Sequence, residues 1–238
     1  MARRRFFVDK VARGGAEVCG DDALHLTRVL RVEAGETYEI SDNERVYLAE
    51  VTLARKNRVE FRTIEELPVD EPVVRLTLYA ALIKFDRFEW IVEKATELGV
   101  ETIVPVDTVR CEKGLAQAAE KRVERWRKIA RESSQQSRRA RMPVIEDPRQ
   151  LNDVAYPVST GFALDEKPGL PALGAVLPPG STAVSLLVGP EGGWTDAERE
   201  WLPPHGWTGV SLGRQILRAE TAAIAALSVV AHAGYKGA

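Results

Sequence analysis

The sequence predicts a two-domain protein, with a small N-terminal domain built mainly of short strands and a larger C-terminal α/β domain with a parallel sheet. Three observations predict it. Residues 1–67 carry β-branched and aromatic residues in short, partly alternating runs. Pro68-Val69-Asp70-Glu71-Pro72 then sets two prolines and two acids between differently patterned regions, as a linker does. Beyond it, apolar strand-like runs alternate with segments of helical period. The domains are therefore drawn as 1–70 and 71–238.

In the first domain, strands are expected at Arg5–Val8, Glu36–Ser41, Val46–Arg55 and Arg58–Ile64, with breaks at Gly35 and Lys56-Asn57. One helix interrupts them: Asp21 or Asp22 suits a cap, and Leu24, Thr27 or Arg28, and Leu30 recur at helical spacing. This pattern suggests a small β-barrel with an inserted helix.

In the second domain, Val74–Leu82 reads as an apolar strand. Asp86 suits the cap of a helix whose Phe88, Ile91, Val92, Ala95 and Leu98 share one face, with Gly99 as terminator. Thr102–Val106 is the next strand, and a basic helix follows from about Ala118 to Gln135. Gly161–Leu164 and Ala183–Val188 are hydrophobic enough to be buried from both sides, as in a parallel sheet. Thr195 and Glu198 form the T-x-x-E capping box of a short helix. Gly209–Leu212 makes a last strand, and Glu220–Ala233 a closing helix. Trp90 and Trp126, on amphipathic helices, read as core or interface residues.

Composition sets outer bounds. At 238 residues, 45% hydrophobic and 29% charged, the chain has the make-up of a globular protein with a real core. No apolar run approaches the roughly 20 residues that span a bilayer, so no membrane association is expected. The basic start, Met1 to Val8, lacks the apolar run of a signal peptide. Cys19 and Cys111 are far apart, which argues against a disulfide framework and for the cytoplasm. His205 and His232 stand outside any cysteine or carboxylate cluster, so no metal site is expected, and His25, a lone histidine in the small N-terminal domain, reads as structural rather than as a general base.

The net charge of −2 gives no overall sign of a nucleic-acid partner, but the distribution does. Lys121, Arg122, Arg125, Arg127, Lys128, Arg131, Arg138, Arg139 and Arg141 face only Glu120, Glu124 and Glu132 within the same stretch. Such an excess attracts phosphate, although a solvated helix face with internal ion pairs has the same composition.

Two segments carry the chemistry. Leu186-Leu187-Val188-Gly189-Pro190-Glu191-Gly192-Gly193-Trp194 is an apolar strand ending in a glycine loop. Ser211-Leu212-Gly213-Arg214-Gln215-Ile216-Leu217-Arg218-Ala219-Glu220-Thr221-Ala222 is a second such loop, running into an alanine-rich helix. Glycine lets backbone approach a ligand closely, and ligands gather at the carboxyl ends of strands in α/β proteins. No G-x-x-x-x-G-K-[ST] occurs, and no G-x-G-x-x-G follows a first strand, which weighs against NTPase, kinase and dehydrogenase readings.

The paired signature GPEGGWTDAE and LGRQILRAETA resembles that of the RsmE-type 16S ribosomal RNA uridine-N3 methyltransferases, a family of the knotted SPOUT class. His25-Leu26-Thr27-Arg28-Val29-Leu30-Arg31, Lys84-Phe85-Asp86-Arg87, Glu93 to Val100 and Gln136 to Pro143 match in the family's order. The resemblance implies a SPOUT-like α/β C-terminal domain with a parallel sheet and deep trefoil knot, and an N-terminal PUA-like RNA-binding β-barrel. Generic topology rules do not predict a knot.

The resemblance also implies S-adenosyl-L-methionine as cofactor, 16S ribosomal RNA of the small subunit as partner, and a homodimer packed through the last helix. The pocket would be made by Leu164, Leu187, Val188, Gly189, Pro190, Glu191, Gly192, Gly193, Ser211, Leu212, Gly213, Ile216, Leu217 and Arg218. Methylating uracil N3 requires removal of a weakly acidic imide proton, so a base or an anion stabiliser is needed. Glu191, Arg218 and Glu220 are the candidates, which the sequence does not rank; Glu220 equally suits a carboxylate at a helix N-terminus. Arg3, Arg4, Arg5, Arg28, Arg31, Lys84, Arg87 and Arg139 are the candidate RNA contacts. A SPOUT enzyme with another RNA target, or a non-catalytic RNA-binding protein retaining the fold, are the alternatives.

Overall fold

The structure is a computed structural model and describes residues 4–154, 156–157 and 160–233. Arg3, a candidate RNA contact, lies outside the described residues. The chain forms two compact units: Met1–Glu71 with Ser134–Met142, and Pro72–Ser133 with Pro143–Ala238. The segment Ser134–Met142, expected in the second domain, thus belongs with the first unit.

The first unit contains β1 (Arg5–Phe7), β2 (Gly15–Cys19), α1 (Gly20–Arg28), β3 (Thr37–Ser41), β4 (Val46–Arg55) and β5 (Arg58–Leu67). Its five-stranded sheet has the order β1-β3-β4-β5-β2. β1 pairs β3 in parallel, and the other ladders are antiparallel. β1 and β2 remain edges among the described residues, so hydrogen bonds do not close these strands into a ring. Two register shifts between β4 and β5 bend this longest hairpin. Phe6, Ile40, Ala49, Val51, Val59 and Phe61 form its core with Ala23 and Leu26 of α1. β2 escaped the sequence reading because Gly15-Ala16-Glu17-Val18-Cys19 is only weakly alternating, and only Val18 is buried in it.

The second unit contains β6 (Arg75–Ala81), α2 (Phe85–Glu97), β7 (Thr102–Asp107), α3 (Leu115–Glu120), α4 (Val123–Gln136, whose last turn groups with the first unit), β8 (Val144–Ile145) and β9 (Arg149–Gln150). It continues with β10 (Thr160–Leu164), α5 (Leu173–Val176), β11 (Ala183–Val188), α6 (Asp196–Trp201), β12 (Trp207–Val210) and α7 (Ala219–Ala233). The strands form one parallel sheet, β12-β10-β11-β6-β7-β8, with β9 also on β7.

Period-two alternation divides each strand between two cores. Leu186 and Val188 join Leu78, Phe162, Phe88, Trp126 and α7 on one face. Leu187 joins Tyr79, Val104, Ala163, Trp194 and Trp207 on the other. Both faces are covered, which is why these strands read as continuous apolar runs.

Four local expectations are corrected. Lys84 rather than Asp86 is the N-cap of α2, and Cys19 rather than Asp21 or Asp22 that of α1; neither makes a side-chain cap bond. The acids lie instead in the first turn, where the helix dipole favours them. The expected single basic helix is broken at Lys121-Arg122 into α3 and α4. The last strand ends at Val210, because Ser211 turns the chain: its Oγ donates to the Gly213 carbonyl and accepts from the Gly213 N–H.

Candidate active site

Parallel register brings the carboxyl ends of β10, β11 and β12 to one edge, where Leu164 lies level with both Val188 and Val210. The three loops that follow enclose a cavity of about 450 Å³, within the ~300–1,000 Å³ typical of small-molecule sites. Gly189, Pro190, Gly193, Ser211 and Gly213 line it, with Leu164, Val188, Leu212, Ile216 and Leu217. Ile216 is 80% exposed, apolar surface that a bound molecule would cover. Leu187 and Gly192 are not in the wall. Leu187 points to the opposite face of the sheet, and the Gly192 carbonyl turns away to accept from Arg110 Nη1 at 2.7 Å.

The loop after β11 is held by Trp194, whose indole N–H donates to the Leu164 carbonyl at 2.7 Å. A Cβ on Gly189 would lie 2.9 Å from Trp194 Cε2, so glycine here makes room for the protein's own tryptophan. Gly193 has φ +67°, and a Cβ there would meet Glu166 Oε1 at 2.7 Å. Thr195 and Glu198 then form the expected capping box. In the wall, Asp165 is gripped by Arg199 through Nε and Nη2 at 2.7 and 3.0 Å. Burial pushes the Asp165 carboxyl up, but Arg199 and the backbone N–H groups of Lys167 and Glu166 outweigh it, leaving it below the ordinary carboxylate range.

Two of the candidate catalytic residues, Glu191 and Glu220, share Arg87 as a neighbour. Arg87, on α2, pairs with Glu191 and holds its Nε 3.9 Å from Glu220 Oε1. Glu220 is only 7% exposed, and its Oε2 is buried without a hydrogen-bond partner. A desolvated carboxylate oxygen without a partner is costly. Arg218, the residue before α7, is exposed and has no ion-pair partner among the described residues. A second cavity of about 440 Å³ lies between Asp86, Arg87, Trp90, Arg218, Glu220 and Thr221. Arg87 and Arg218 line both cavities.

Comparison with known proteins decides the family. The RNA methyltransferase domain family matches residues 69–231, and the RNA methyltransferase PUA domain family matches 18–64. A ribosomal RNA small subunit methyltransferase E from Bacillus subtilis is 31% identical, over 90% of this chain and 89% of its own length. The chain belongs to the ribosomal RNA small subunit methyltransferase E family. The crystal structure of the Neisseria gonorrhoeae member bound to S-adenosyl methionine superposes with TM-score 0.86 at 28% identity, covering 96% of each chain. A Legionella pneumophila methyltransferase in complex with the same cofactor gives 0.87 at 28% identity, covering 97% of each chain.

Both cavities fall inside the match to the methyltransferase domain of this family, while Arg28 and Arg31 fall inside the PUA match. Arg28 and Arg31 are exposed at the end of α1 and just after it, and Lys84 is exposed at the start of α2. Arg4 is also exposed. The Arg5 side chain, 12% exposed, is engaged by Glu39 and donates to the Arg138 carbonyl. Arg87 is likewise engaged by two carboxylates rather than free for phosphate. Arg139 donates through Nε to the Arg141 carbonyl at 3.0 Å. Much of the basic stretch is internally paired: Arg125 and Arg122 with Glu89, Arg127 with Glu124 and Asp147, Arg141 with Glu71.

Sequence reasoning missed Asp165, Glu166, Trp194, Arg214, Gln215, Ala219 and Ala222 in the first wall and Asp86, Trp90 and Thr221 in the second. Position was the available signal for Asp165 and Glu166, which directly follow a strand end. For Trp90 it was phase: the buried stripe of α2 is Phe88, Ile91, Val92 and Ala95, and Trp90 lies off it.

Proposed function

We propose that this protein transfers the methyl group of S-adenosyl-L-methionine to N3 of a uridine in 16S ribosomal RNA of the small subunit. The observation that carries the reading is the pairing of two cavities that share Arg87 and Arg218, the first ringed by the glycine loops and the second lined by Glu220. The first cavity suits the donor: it offers backbone polar groups, exposed Ile216 and Leu217, and the carboxylates of Asp165, Glu166 and Glu191 for a cationic molecule. When bound, the donor supplies an electrophilic methyl group on a sulfonium.

The division of labour follows from the side chains. Glu220 accepts the N3 proton, which leaves the N3 electron pair free for the methyl carbon that the donor would supply when bound. Arg218 offers its guanidinium to the uracil oxygen on which negative charge develops. Glu191 holds Arg87, which in turn restrains Glu220. Exposed Arg4, Arg28, Arg31, Lys84 and the Arg139 segment supply RNA contacts, with the PUA-like domain as the RNA-holding part.

The reading includes a C-terminal trefoil knot, supported by a chain that leaves edge strand β12, lines the cavity through residues 211–218, and returns as α7 against α2, β11 and β6. It also includes a cytoplasmic homodimer. Ala223, Ala226, Leu227 and Val230 of α7 are buried within the unit, while Ala222, Ile224, Ala225 and Val229 retain accessible surface for a second copy. Among the described residues no helix is long and apolar enough to cross a membrane. Sedimentation at micromolar concentration reads the dimer.

The test of the reaction is mass spectrometry of nucleosides from small subunits lacking the modification, incubated with the protein and S-adenosylmethionine. The expected product is 3-methyluridine at one position of 16S RNA. Its absence, or methylation of a different atom, overturns the reading.

A further inference from the structure

We propose that Trp90 is the stacking platform for the methyl-accepting base, so that the second cavity receives a uracil ring turned out of its RNA helix. This rests on the reading of the first cavity as the donor site. Trp90 is 44% exposed, whereas Trp126, Trp194 and Trp207 are completely buried. Large aromatic side chains contribute most when desolvated, and Trp90 lies outside the apolar stripe that anchors α2. Its position places it one helical turn from Asp86 and Arg87, at the i,i+4 and i,i+3 spacings that make helix neighbours.

The rest of the lining gives the cavity its chemistry. Arg87 and Arg218 are cationic donors, Thr221 brings a hydroxyl, and Glu220 brings a carboxylate. A flat apolar face beside donors and one acceptor complements a planar ring with carbonyl oxygens on either side of an N–H, which is the imide edge of uracil. Adenine and cytosine present an amino group there instead, which Arg87 and Arg218 cannot accept from. A base inside a duplex cannot reach such a cavity, so the target nucleotide must be unstacked or extruded. Stacking on Trp90 offsets that loss, and it costs the protein little because the ring is already exposed.

The test is a binding cycle on the full chain saturated with S-adenosylhomocysteine. One short single-stranded RNA carries the mapped uridine; its twin carries an abasic ribose at that position. Wild type should bind the uridine RNA about 5- to 150-fold more tightly, the range of one base–aromatic stack. Trp90→Ala should erase most of that preference, and Trp90→Phe should restore much of it. Donor affinity, measured by calorimetry, should be the same in all three, which separates stacking from damage to the fold. If Trp90→Ala keeps the preference, or wild type has none, the inference is overturned. Methyl transfer by wild type is scored separately: its absence overturns the donor reading beneath this inference, while transfer without coupling to Trp90 overturns only the role of Trp90.

Discussion

The indole N–H of Trp194 donates to the carbonyl oxygen of Leu164 at 2.7 Å, tying the loop after β11 to the end of β10. The glycine five residues earlier exists for this contact, because a Cβ at Gly189 would stand 2.9 Å from the same ring. Gly189→Ala should therefore displace Trp194, destabilise the protein by about 1–3 kcal/mol as overpacking does, and weaken donor binding together with stability. Denaturant unfolding and calorimetry check it. Unchanged stability with lost binding would instead assign the glycine to the ligand.

Arginines of the first unit should separate into structural and RNA-facing sets. Glu39 is 8% exposed and receives Arg5 at 2.7 Å and Arg138 at 2.6 Å. Arg5→Ala should lower stability by about 1–3 kcal/mol, since it leaves part of a buried carboxylate unmet. Changing Arg28 and Arg31 together to Ala should leave the melting temperature alone, weaken RNA binding, and lower the log–log salt slope by up to about two on duplex-like RNA. Salt titrations of RNA binding and thermal melts of each variant decide this. An unchanged salt slope in the double variant removes that surface from the RNA path.

Acid should release the Asp165–Arg199 clamp. The folded-state carboxyl lies below its ordinary range, so its contribution is fully present above the unfolded value of about 3.9 and is lost as pH falls through the folded value. Asp165→Asn should thus be less stable than wild type by about 1–2 kcal/mol at pH 7, with the gap shrinking below about pH 4. Urea unfolding across that window measures it, and a gap that widens in acid contradicts the assignment.

Much of this architecture is legible in the residues, and the exceptions have physical causes. Runs such as Ala183–Val188 announce a sheet covered on both faces, and the capping box at Thr195 and Glu198 forms as its spacing demands. Gly189, Gly193 and Gly213 announce loops that enclose a cavity, but not what each glycine avoids. Leu187 follows the strand period, which turns it away from the cavity despite its place in the motif. Arg5 and Arg87 look like free cations in a linear chain; Glu39, Glu191 and Glu220, which engage them, are distant in sequence. Trp90 is hidden for the converse reason, since an aromatic on an amphipathic helix suggests core until the buried stripe is known.

The central claim is that Glu220 removes the N3 proton, and single-turnover methyl transfer by Glu220→Gln tests it most directly. The amide preserves shape and leaves a donor and an acceptor, but it cannot take up a proton at neutral pH. The account predicts donor and RNA affinities close to wild type and a transfer rate lower by roughly 10²- to 10⁴-fold, the usual contribution of a general base. Transfer at the wild-type rate would contradict it, leaving Glu220 as a buried helix-terminal carboxylate and passing the proton to Glu191.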